Sequence, residues 1–177
     1  MVSEARLVAT DSGFVPNGDG WFVVNARDAR WWHSVELGSY CPFEGESRFG
    51  ELGINLTVLQ PGQPNCMYHG ENIQEDFLVL SGECVVIIEG QERRLKQWDF
   101  VHCPAWTEHV FVGAGSGPCA LLATGARHQD GEVLYPRSEV ALAHQAGVSE
   151  ATSKPAEAYA RFAEPEAGVY RDGDLPG

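Results

Sequence analysis

Tyr68-His69-Gly70-Glu71-Asn72-Ile73-Gln74-Glu75, followed by Asp76-Phe77-Leu78-Val79-Leu80 and the turn Ser81-Gly82, decides how this chain is read. Side chains two apart on a strand point to the same face, so His69 and Glu71 can both aim inward. Glu75, past a short bend, begins the next strand-like run and can turn toward the same point. His109, five residues after Pro104, supplies a second imidazole. Together these four side chains could wrap one divalent cation, and the rest of the chain has to supply a fold that brings them together.

A chain of 177 residues with 44% hydrophobic content is long enough for one well-buried core, so one domain is expected. The formal net charge of −13, with only 12 Lys and Arg, argues against a nucleic-acid partner, because phosphate binding needs clustered cations. An acidic surface also suits a protein that avoids anionic membranes, and no stretch approaches the roughly 18 apolar residues of a membrane span. We expect a cytoplasmic protein without a signal peptide. The five cysteines, at 41, 66, 84, 103 and 119, are odd in number, scattered and never form a Cys-x-x-Cys pair, so free thiols in a reducing compartment are expected. Cys66 and Cys103 lie near the proposed ligands in sequence.

The texture of the chain divides it into three. Residues 1–50 are broken by Gly, Pro, Asp and Asn, with aromatic residues at Trp21-Phe22 and Trp31-Trp32, and are expected to pack over the main domain as an arm. From 51 to 125 short apolar runs alternate with turn signals, the mark of an all-β sandwich or barrel. Within this region Gly90-Gln91 fits a two-residue hairpin loop. The runs Phe77 to Leu80 and Cys84 to Ile88 are apolar on both parities, so their outer faces need cover, by the arm or by the second subunit of a homodimer. Residues 126–177 form an extension with short helices expected around Ser138 to Ala146 and Pro155 to Phe162.

The spacing of these residues resembles the double motif of the cupins. The family's first signature is Gly, five residues, His-x-His, three or four residues, Glu, six residues, Gly. In this chain Gly62 is followed by six residues before His69, Glu71 stands in place of the second His, and Glu75 and Gly82 follow in register. In the second signature, Gly, five residues, Pro-x-Gly, two residues, His, three residues, Asn, Pro104 and His109 match. Trp98, Trp106 and Gly113 replace the two glycines and the asparagine. The motifs run from residue 62 to 113, a little under a third of the chain. The resemblance implies an all-β cupin fold: a double-stranded β-helix (jelly-roll) barrel with an N-terminal arm and a partly helical C-terminal tail. It also implies one divalent metal ion held by His69, Glu71, Glu75 and His109. Two neutral imidazoles and two carboxylates neutralise a divalent ion, and the oxygen ligands favour Mn or Fe, with Zn also accommodated.

Other side chains are candidates for the surroundings of that ion. His102 could serve as a catalytic base if it faces the cavity. Asn55 and Thr57 share one strand face and would suit a substrate, and Trp106 could wall the barrel mouth. Gly113 to Pro118 is no dinucleotide fingerprint, because Pro118 and an apolar strand replace the required helix. The resemblance implies a metal-dependent enzyme acting on a small polar molecule inside the barrel, by oxygenase or by non-redox isomerase, lyase or epimerase chemistry. The alternative is a non-catalytic small-molecule or metal-binding cupin.

Overall fold

A computed structural model describes residues 1–127 and 130–175. In chain order the elements are β1 (Arg6–Thr10), β2 (Gly13–Asn17), β3 (Trp31–Ser34), β4 (Gly38–Cys41), β5 (Leu52–Leu59), β6 (Gly70–Glu71) and β7 (Glu75–Ser81). They continue with β8 (Glu83–Ile88), β9 (Gln91–Lys96), β10 (Phe100–Cys103), β11 (His109–Ala114), β12 (Cys119–Ala126) and β13 (Val133–Leu134). The chain then forms α1 (Glu139–Ala143), α2 (Pro155–Ala158) and β14 (Glu166–Gly168). A seven-stranded antiparallel sheet, ordered β10-β7-β12-β5-β4-β3-β14, faces a three-stranded sheet ordered β11-β8-β9. This is the all-β jelly-roll expected from the sequence.

Alternation along the strands sets what each face carries. Leu59, Phe77, Val79 and Leu121 from the large sheet meet Cys84, Val86 and Phe111 from the small one, and together they fill the barrel interior. Leu56 and Val58, of opposite parity, lie outside and are covered by Ala29, Trp31 and the tail residues Tyr170 and Leu175. The segments flanking the barrel are built into it: β4 pairs onto β5, β3 onto β4 and β14 onto β3. The outer face of β8 is covered within the chain, since Val85 and Ile87 pack against Val140, Ala141 and Ala146. Leu78 of β7 is only half-buried, and beside it Phe100 and Trp98 are 62% and 67% exposed.

Three local details differ from expectation. The hairpin joining β8 to β9 turns at Glu89-Gly90, one residue earlier than Gly90-Gln91, because Ile88 pairs with Gln91 and both central residues have positive φ (49° and 70°). That is a type I′ turn, whose twist matches the flanking strands. The helices are shorter than expected, with α1 capped by the Ser138 side chain, which accepts from the Ala141 N–H at 3.3 Å. Finally, the two positions where tryptophan replaces a motif glycine keep the glycine-like backbone, with φ of 74° at Trp98 and 68° at Trp106. At Gly113, in place of the motif asparagine, a Cβ would lie 2.2 Å from the Gln60 carbonyl oxygen, so no side chain fits.

Backbone conformations of this kind predict effects of different size at two sites. Trp98→Gly removes an exposed indole from a left-handed backbone and should change unfolding free energy by no more than about 1 kcal/mol. Gly82→Ala, at φ 73° with a Cβ only 2.3 Å from the Pro118 carbonyl oxygen, should lower it by about 3 kcal/mol. Urea unfolding midpoints at constant slope check both, and equal losses for the two variants would contradict this reading.

Candidate metal centre

His69 and His109, forty residues apart in the chain, are joined by a two-way backbone bridge. The His109 N–H donates to His69 O at 2.8 Å and the His69 N–H to His109 O at 3.2 Å. Each imidazole is then oriented by the same device. Nδ1 of His69 lies 2.8 Å from Met67 O, and Nδ1 of His109 lies 2.9 Å from Thr107 O. A backbone carbonyl can only accept, so each Nδ1 carries a proton and Nε2 is the ring atom left to face the interior.

Glu75 completes the cluster from the first position of β7, where alternation places it on the inward face with Phe77 and Val79. Its Oε2 is 3.4 Å from His109 Nε2 and 3.9 Å from His69 Nε2. The three ligand atoms all lie within 4.8 Å of one another. Atoms each about 2.1 Å from a shared ion stand roughly 3 to 3.5 Å apart, so the observed triangle needs only a small contraction. His109 is fully buried, and its Nε2 has no hydrogen-bond partner among the described residues. A buried imidazole nitrogen without a partner is destabilising unless something occupies its lone pair, and a divalent cation fits this donor set.

The titration behaviour has the same origin. Burial, and then the proximity of His69, push His109 down to about 4, so it stays neutral. Burial also pushes Glu75 up to about 7 against the pull of His69, with Glu71 adding repulsion. For His69 burial acts downward, but Cys66 and the carboxylates Glu71 and Glu75 outweigh it and hold the imidazole well above its usual range. Neighbouring carboxylates and imidazoles that share protons in this way are groups a cation could satisfy together.

Glu71 is close to this triangle without being part of it. Its Oε1 is 3.5 Å from His69 Nε2, and its side chain is one-third exposed. β13 pairs with β6 and fixes the backbone of Glu71 from outside, while the Trp106 N–H donates to Glu71 O at 2.6 Å. Trp106, half-exposed, thus lies at the rim beside Glu71. Asn55 and Thr57 share the parity of Leu59 and face inward on β5, both only partly buried. His102 is a correction. It sits on the outer face of β10, half-exposed, with Nδ1 2.6 Å from Asp76 Oδ1. Its neighbour Cys103 takes the inward position opposite Glu75, and one step of alternation removes His102 from the cavity.

Three neighbours of the site were not found from the sequence. The Tyr135 ring packs at a tilt against His69 with centroids 5.8 Å apart, and Tyr159 meets Tyr135 edge-on at 5.8 Å while its hydroxyl accepts the Met67 N–H at 3.1 Å. Both come from the C-terminal extension, where no local spacing marks them. The third, Arg127, lies one residue past β12. Cys66, by contrast, had been noted near the ligands, and its Sγ is 3.7 Å from His69 Nδ1.

The family profile described as "Cupin domain" matches residues 55–125. Among solved structures, a proposed sugar phosphate isomerase from Acidithiobacillus ferrooxidans is 28% identical, over 49% of this chain and 57% of that one, with a TM-score of 0.48. A sugar phosphate isomerase of the cupin superfamily from Silicibacter pomeroyi is 24% identical, over 61% and 66%, with a TM-score of 0.49. A cupin-family protein with a double-stranded β-helix fold from Methanocaldococcus jannaschii is 20% identical, over 46% and 75%, with a TM-score of 0.42. The chain spans less than two thirds of either isomerase, and no curated protein matches it. With the double motif folded into an antiparallel barrel whose inward histidines meet, residues 55–125 are a cupin domain.

Proposed function

We propose that the protein is a metal-dependent enzyme that moves a proton on a small polar molecule bound in the barrel. The observation that carries this reading is the buried, partnerless Nε2 of His109 beside Glu75 and His69. His69, Glu75 and His109 would hold one divalent ion, with Mn or Fe preferred by the oxygen-containing set and Zn accommodated. Bound there, such an ion supplies Lewis-acid polarisation of a substrate oxygen and positions for chelation. Glu71 is the proton-moving group. It is near enough to His69 to reach a substrate at the triad and exposed enough to exchange protons with water. Its carboxylate takes a proton from the atom next to the polarised oxygen and returns it to a neighbouring one, which is isomerase, epimerase or lyase chemistry. Trp106 and the inward Asn55 and Thr57 would confine the substrate.

A second reading rests on the composition of the triangle itself. Two histidines and one carboxylate with open positions are also the arrangement of non-haem iron oxygenases. Metal analysis and turnover separate these readings from a non-catalytic cupin. Protein purified without added metal should contain about one divalent ion per chain, and His109→Ala should lose it together with several degrees of melting temperature. With wild type, loaded anaerobically, a panel of hydroxy acids, keto acids and sugars in D2O should yield deuterium incorporation or isomers by NMR. Glu71→Gln should abolish that exchange while keeping the metal. Substrate-dependent oxygen uptake without exchange would establish the oxygenase reading instead, and equal metal in wild type and His109→Ala would eliminate the site.

We also propose a homodimer formed through Leu78, Phe100 and Trp98, the part of the outer face that the chain's own arm and tail do not cover. Light scattering coupled to size exclusion should give twice the chain mass for wild type and the monomer mass for a Trp98→Ser, Phe100→Ser double variant. A monomeric wild type would contradict the proposal.

A further inference from the structure

Two glycines stand side by side on the inward edge of the barrel beside the triad, with Ile73 Cδ1 3.7 Å from where a Gly125 Cβ would lie. Gly53 of β5 stands opposite Gly125 of β12, and Gly125 stands opposite Glu75 of β7. Both glycines have the inward parity of Leu59 and Leu121. A Cβ on Gly125 would lie 3.6 Å from Glu75 Cγ. A Cβ on Gly53 would lie 3.3 Å from Nη2 and 3.4 Å from Nε of Arg127. The glycine strip therefore runs from the carboxylate of the triad to one edge of a guanidinium.

That edge is free. The Arg127 N–H donates to Glu51 O at 2.9 Å, which carries the ladder one residue past β12 and keeps Arg127 on the inward side. Glu44 takes the end of the guanidinium in a bidentate pair, Nη1 to Oε1 at 2.6 Å and Nη2 to Oε2 at 3.1 Å, and Phe49 O takes the other Nη1 hydrogen at 2.6 Å. The Nε–H and the second Nη2 hydrogen remain, with no partner among the described residues, on a side chain 30% exposed. They are parallel donors, the geometry that receives the two oxygens of a carboxylate or phosphate. Burial alone would raise the Glu44 carboxyl, but the hydrogen bonds from Arg127 and the Phe49 N–H reverse that, so the clamp stays ionised. The guanidinium plane is thus fixed before any ligand arrives.

We infer that the Arg127 fork and the Gly53–Gly125 strip form an anion subsite of the metal centre, for a short hydroxylated molecule ending in a carboxylate or phosphate. This rests on the metal-centre reading of the preceding subsection. Two strand spacings, about 10 Å, separate the strands of Gly53 and Glu75. A chain of three to five atoms spans that gap with its anionic end on Arg127 and its other oxygens at the triad. Asn55, two residues along β5 from Gly53 on the same face, faces the middle of such a molecule. Because Glu44 already balances the guanidinium charge, the selection for an anion comes from the two parallel N–H donors left on its other edge.

The test uses glycerate, glycerol phosphate and glycerol as probes of equal carbon length, titrated calorimetrically into the Mn2+-loaded protein. At least one anionic probe should bind about tenfold or more tightly than glycerol, and the better of the two identifies carboxylate or phosphate. Arg127→Lys keeps the charge and loses the fork. It should remove most of the preference without changing manganese content, and Gly53→Ala, which fills the strip, should do the same. Melting curves confirm that both variants are folded. The Arg127 Nε–Hε NMR signal provides a readout independent of the metal, and glycerate or glycerol phosphate should shift it even in metal-free protein. A shift of that signal in a protein that binds no manganese would overturn the metal reading and keep the anion site. Equal binding of all three probes to manganese-loaded wild type, or an unchanged preference in folded Arg127→Lys, would overturn the anion site and keep the metal reading.

Discussion

The reciprocal backbone bridge between His69 and His109 is the constraint on which the site depends. It closes two halves of the sequence into one barrel at a single residue pair, and it sets the two imidazoles with centroids 5.1 Å apart. Because each Nδ1 is tied to the carbonyl two residues earlier, neither ring can rotate its Nε2 away from the other without losing a buried hydrogen bond. Glu75 meets them because β7 begins at that residue, with its inward parity fixed by Phe77 and Val79 in the core below. The floor is equally determined, since Phe77 packs on His109 at 5.1 Å and on Phe111 at 4.4 Å. Phe77 and Phe111 thus close the site from below.

The rim is where this chain departs from the family's motif. Glutamate in place of a histidine puts a carboxylate, one-third exposed, beside the triad at Glu71. Tryptophan at positions 98 and 106 keeps the left-handed backbone of the glycines it replaces. For Trp106 this places an aromatic surface next to Glu71 at a small conformational cost. The packing of Tyr135 against His69 and the return of β13 onto β6 show that the C-terminal extension is part of the wall.

The sequence makes legible what is local in spacing. The positions of His69, Glu75 and His109 follow from motif register, and the barrel follows from short apolar runs between turns. Parity at the edges of strands is less legible. In Phe100-Val101-His102-Cys103 nothing local distinguishes His102 inward from Cys103 inward, and only the pairing of Cys103 with Glu75 decides it. The Glu89-Gly90 turn was misread by one residue because a positive φ at Glu89 leaves no mark in composition. The cover over Val85 and Ile87 and the role of Arg127 are beyond local reading altogether. Each depends on residues more than fifty positions away, α1 in one case and Glu44 with Gly53 in the other.

X-ray absorption at the metal edge of protein loaded with Mn2+ or Fe2+ tests the central claim most directly, because it reports the ligands themselves. The account predicts scattering from two imidazoles together with carboxylate or water oxygen, all at about 2.0 to 2.3 Å, and loss of one imidazole in His69→Ala. A spectrum of oxygen scatterers alone, or one with a sulfur from Cys66 in place of an imidazole, would contradict it.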